Sequence, residues 1–77
     1  MARIRTFTQT SSDSSPHPTE TDAQWSVLQA GGIRWLQIST YGSDARMSKP
    51  KVSQTIQLDR ERAALLKEAI EVAFPGI

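Results

Sequence analysis

Residues 33–41 read IRWLQISTY, and strict alternation places Trp35, Gln37, Ser39 and Tyr41 on one side of an extended chain. Two aromatic rings separated by an amide and a hydroxyl form a surface suited to unpaired nucleobases. Each base stacked on such a ring contributes about 1–3 kcal/mol. Cations gather beside this run. Residues 33–51 hold Arg34, Arg46, Lys49 and Lys51 against Asp44 alone, and Arg3 and Arg5 stand near the N-terminus. Clustered cations attract phosphates. Arg34, Trp35, Tyr41, Arg46, Lys49 and Lys51 are therefore the candidate nucleic-acid-binding residues.

Groups for covalent or acid–base chemistry are sparse. His17 lies between Pro16 and Pro18 in a polar stretch, where nothing holds it to a nucleophile. Asp44 is accounted for as a turn former and Asp59 as a helix cap. There is no glycine loop of the kind that cradles phosphates and no nucleophile elbow. With no Cys, disulfides and thiolate metal sites are excluded, and one His leaves no His cluster. The expectation is a binding module that is not an enzyme and uses no metal or cofactor.

The chain has 77 residues, 9 Lys+Arg, 8 Asp+Glu and a formal charge of +1. That length allows one small domain, whose core alone supplies about 3–5 kcal/mol. Association with a second copy is a common way to add stability at this size. No apolar run reaches the roughly 18 residues of a membrane span, and the N-terminal residues lack the apolar core of a signal peptide. An intracellular location, cytoplasmic or nuclear, and no membrane partner are expected.

The elements that must carry the site follow from the pattern. Residues 8–24, TQTSSDSSPHPTETDAQ, contain only Ala23 as an apolar residue, so they bury too little surface to offset their ordering entropy. Residues 1–24 are read as a flexible N-terminal arm, although the alternation of RIRTF over residues 3–7 allows a short strand. The ordered domain is expected over residues 25–77. WSVLQA and IRWLQISTY flank Gly31-Gly32, and paired glycines supply the positive φ of a tight hairpin turn. A polar loop over residues 42–51 leads to VSQTIQL, where Val52, Gln54, Ile56 and Leu58 alternate with Ser53, Thr55 and Gln57. Asp59 then caps a helix over residues 60–74 that Pro75-Gly76 stops. Leu36 and Ile38 are expected to lie against that helix, with Val52, Ile56 and Leu58 beside them, leaving the face of Trp35 and Tyr41 open.

The fold class expected is α+β: a small antiparallel sheet of three to four strands followed by one C-terminal α-helix, dimeric. The helix carries an apolar stripe of Leu66, Ile70, Ala73 and Phe74, widened by Leu65, Ala69 and Val72. One small sheet cannot cover a stripe that wide. Leu65, Leu66, Ala69, Ile70, Val72 and Phe74 are therefore the candidate homodimer interface.

The order of elements is similar to a known family. Ile38-Ser39-Thr40-Tyr41, then Ser48-Lys49-Pro50-Lys51, then Thr55-Ile56-Gln57-Leu58-Asp59 running into the helix, together resemble the single-stranded-DNA-binding domain of the transcriptional positive cofactor (coactivator) family, whose fold is shared more distantly with the Whirly proteins. The resemblance covers residues 25–74. It implies a curved antiparallel sheet, dimerisation through the helix, binding of single-stranded DNA or RNA, and a binding role for Tyr41, Lys49 and Lys51. The chain departs from the family in having no Lys over residues 28–33 and Gly42 in place of a second aromatic. The competing expectation is a small protein-binding regulator or inhibitor that uses the open sheet face for another protein and binds no nucleic acid.

Overall fold

The computed structural model describes residues 1–42 and 52–77. It contains four strands and a helix: β1 (Ala2–Arg3), β2 (Ala23–Ala30), β3 (Ile33–Tyr41), β4 (Val52–Leu58) and α1 (Arg60–Ala73). The strands form one sheet in the order β1-β4-β3-β2, followed by the C-terminal helix. β2, β3 and β4 pair antiparallel, as expected, and β1 adds a parallel edge beside β4.

The β2–β3 hairpin closes between Ala30 and Ile33 across Gly31 and Gly32, whose φ values are +59° and +77°. Two consecutive residues at positive φ make the turn whose twist matches that of the flanking strands, and only glycine adopts it without strain. β2 starts at Ala23, two residues earlier than its apolar character begins. Ala23 and Gln24 are held by their partners Thr40 and Ser39, so pairing overrides weak local propensity. The pairing of β3 with β4 runs from Leu36↔Leu58 to Tyr41↔Val52, with an irregularity between Thr40 and Tyr41.

α1 begins where Asp59 accepts a hydrogen bond from the Arg62 backbone N–H at 2.9 Å, satisfying a donor of the open first turn. The Arg62 guanidinium folds back on the same carboxylate at 3.4 Å. At the far end the Phe74 N–H bonds Ile70 O at 2.8 Å, and Gly76 at φ +85° turns the chain away.

The packing of the helix corrects one expectation. Trp25 and Val27 of β2, Leu36 and Ile38 of β3, and Ile56 and Leu58 of β4 share one apolar face. Leu36 and Ile38 were expected against the helix with Val52, Ile56 and Leu58 beside them; of these Leu58 is buried, at 2% exposure, Leu36 and Ile38 are half-buried, and Val52 and Ile56 are exposed. The physical reason is connectivity. α1 starts two residues after Leu58, so its first turns meet the sheet at that end, and an open groove lined by Val27, Leu36, Leu58 and Ala63 remains between them. Every residue of α1 is exposed or half-buried.

Candidate nucleic-acid interface

The opposite face is built from alternate residues of all four strands. Register places Gln24, Ser39 and Thr55 in one row, Ser26, Gln37 and Gln57 in a second, and Leu28 beside Trp35 in a third; Arg3 stands beside Gln57. Cross-strand bonds lock these rows. Ser39 Oγ and Thr55 Oγ1 are 3.0 Å apart, Gln57 Nε2 donates to Gln37 Oε1 at 2.9 Å, and the Tyr41 hydroxyl donates to Gln24 Oε1 at 2.7 Å. Ser39 and Thr55 are each only 7% exposed, so the centre of this face is a buried hydroxyl pair between longer polar side chains. A buried hydroxyl without a partner is destabilising, and here each satisfies the other.

Each amide retains further capacity. Gln37 Nε2, Gln57 Oε1 and Gln24 Nε2 are not consumed by the side-chain bonds above. The face therefore combines aromatic rings with amide donors and acceptors held in fixed rows.

Trp35 and Tyr41 both lie on this face and both are half-buried. Trp35 is more covered than the open surface expected of it, because the Arg3 guanidinium lies 5.7 Å from the ring centroid. Such a cation–ring contact is worth about 0.5–1 kcal/mol near the surface. Arg3, counted from sequence only as a basic residue, is thus a member of the site. Its strand pairs with residues more than fifty positions away, a relation that local pattern does not contain. Beside the pair, Arg3, Arg5, Trp35, Asp59 and Arg62 line an open polar groove. Arg62 Nε donates to Arg5 O at 3.0 Å, and Ile4 N–H donates to Gln57 O at 2.8 Å, tying the arm to both the helix and β4.

The other candidates divide. Arg34 is exposed and belongs by alternation to the opposite face, where it borders the groove against α1. Arg46, Lys49 and Lys51 lie outside the described residues. Of the interface candidates on α1, Leu66 is half-buried and Leu65, Ala69, Ile70 and Val72 are exposed, as is Phe74 just beyond the helix. His17 sits in a local turn in which its Nδ1 accepts from the Thr19 backbone N–H at 3.2 Å. Among the described residues, no three His, Asp or Glu side chains form a metal-binding group, and no helix is long and apolar enough to cross a membrane.

Comparison of the chain with protein-family models, with curated proteins and with solved structures returns no match. The functional reading therefore rests on the residues of this chain.

Proposed function

We propose that the protein is a single-stranded nucleic-acid-binding module, a transcription cofactor or regulator working inside the cell as a homodimer. The observation that carries the reading is the four-strand polar face: Trp35 and Tyr41 rise from a lattice of bonded amides and hydroxyls, with Arg3 at its border. Trp35 and Tyr41 are six residues apart on one strand, about 20 Å. Bases of one flexible strand bond the amides between the rings and stack on Tyr41 and, once the Arg3 guanidinium moves off it, on Trp35; Arg3 so released and Arg5 take phosphates. A duplex hides its base faces and meets only the cations.

Dimerisation through the end of α1 completes this reading. Val72 is 69% exposed and Phe74 is 63% exposed, beside exposed Leu65 and Ile70. A second copy covers such an apolar stripe with the same stripe of its own.

The test is fluorescence anisotropy with labelled oligonucleotides at several salt concentrations. Trp35→Ala weakens single-strand binding by about 1–3 kcal/mol and leaves duplex binding unaltered. Arg5→Ala lowers the salt slope by about 0.7 if one phosphate contact is lost. Absence of binding to single strand and duplex alike at low salt overturns the proposal and turns the same face into a protein-docking surface.

A further inference from the structure

β2 is the terminal strand of the sheet, and its sequence AQWSVLQA carries no charge and no proline over eight residues. Folded proteins ordinarily protect such an edge with lysine, proline, a bulge or a covering segment, because its unpaired N–H and C=O groups template another strand. β2 has none of the first three, and its whole length pairs regularly with β3.

The hairpin determines which backbone groups face outward. A two-residue turn makes the closing pair Ala30↔Ile33 a hydrogen-bonded one, and alternation then turns the groups of Leu28, Ser26 and Gln24 toward β3. The bond from Tyr41 N–H to Asp22 O, at 3.1 Å, continues the same alternation. The N–H and C=O groups of Ala23, Trp25, Val27 and Gln29 are thus directed away from the sheet. Their side chains lie on the apolar face, where Trp25 is 71% exposed and Val27 is 56% exposed.

We propose that β2 is a self-pairing edge: a second copy of this chain joins it antiparallel, in a register centred on Ser26. In that register Trp25 stands opposite Val27 of the partner subunit and Ala23 opposite Gln29 of the partner subunit, and the reverse pairs follow by symmetry. All outward N–H and C=O groups of residues 23–29 are satisfied. Shifting the centre to Trp25 or Val27 leaves an end residue without its partner within the strand. No like charges meet anywhere along the seam. A stable interface needs about 800 Å2 per partner. The Trp25 ring supplies about 150–250 Å2, and Val27 with a main-chain ribbon about 27 Å long adds to it. The contact therefore lies at the small end of the interface range and is a micromolar, exchanging association. It is separate from the contact proposed for α1 and independent of nucleic-acid binding.

The test uses the full chain carrying Val72→Glu, which disables the helix contact at an exposed position. Amide hydrogen exchange and sedimentation are measured over about 10–300 µM protein. The expected result is self-association, with exchange at Trp25, Val27 and Gln29 slowing as concentration rises. Adding Ser26→Asp puts two carboxylates face to face and weakens association about fivefold, and Ser26→Lys does the same. Mixing the Asp and Lys forms restores or exceeds the starting affinity. A monomer at every concentration, unprotected outward amides, or Asp and Lys forms that associate as well alone as mixed each overturn the proposal. Circular dichroism confirms that each variant keeps its sheet.

Discussion

The buried Ser39–Thr55 pair gives the most direct test of how the polar face is held. The two hydroxyl oxygens are 3.0 Å apart and both residues are 7% exposed. Ser39→Ala removes one partner and leaves the Thr55 hydroxyl buried without a bond, a loss of about 1–3 kcal/mol. Thr55→Val keeps the shape and strands Ser39 in the same way. The double variant replaces both polar groups with apolar ones of similar shape, which is close to neutral. The double-mutant cycle should then show a coupling close to the sum of the two single losses, about 2–6 kcal/mol. For a chain of this size each kcal/mol moves the melting temperature by roughly 4–8 °C. Urea denaturation followed by circular dichroism, at one fixed protein concentration, reads all four proteins. The midpoint should fall in each single variant with the slope unchanged, and recover in the double. Strictly additive losses, or single variants within 0.3 kcal/mol of the parent (about the error of additivity), refute a buried and mutually satisfied pair.

Deleting residues 1–6 removes β1, the Arg3–Trp35 contact and the Arg62–Arg5 bond; it should lower the melting temperature by several degrees, whereas deleting residues 9–20 should leave it nearly unchanged in the same calorimetric scan. Asp59→Ala removes the N-cap acceptor and the Arg62 pair, and should destabilise by about 0.5–2 kcal/mol in urea titration. Because assembly is expected to supplement a small core, the melting temperature should rise by roughly 3–6 °C for each tenfold increase in protein concentration, from 1.4 kcal/mol per dimer shared between two chains; a flat dependence argues against any dimer.

The hairpin, β4 and α1 were legible because their signals are local. Gly31-Gly32 between two alternating runs, the alternation over residues 52–58, and Asp59 ahead of a helix-forming run each describe neighbours in sequence. β1 was legible only as the alternation of RIRTF. Two residues carry too little pattern to announce a strand, and the pairing Ala2↔Ile56 is a relation between distant positions. The same distance hid Arg3 from the site. Trp35 and Tyr41 were placed together by period-two reasoning alone, and the register of β2 and β4 then set which amides and hydroxyls lie between them. The helix was assigned a role in covering Leu36 and Ile38 on the strength of its stripe. Where a helix lands depends on its connection, and the single linking residue Asp59 after Leu58 sends α1 to the end of the sheet.

That geometry leaves one chain with two unserved apolar surfaces. Trp25, Val27 and Ile56 stand on the sheet, and Leu65, Ile70, Val72 and Phe74 stand toward the end of the chain, all exposed. The Cα radius of gyration is 14.7 Å, against about 11–12 Å for a compact chain of this length, and the exposed arm over residues 8–22 contributes to the excess. At roughly 25 cal/mol per Å2 of apolar surface removed from water, covering either surface is worth more than any single polar contact on the opposite face. The polar face behaves differently: its hydroxyls and amides already bond one another across strands, so they gain little from burial against a second copy. Assembly through the apolar surfaces would therefore leave the face of Trp35 and Tyr41 directed at solvent, which is the arrangement that a ligand entering from solution requires.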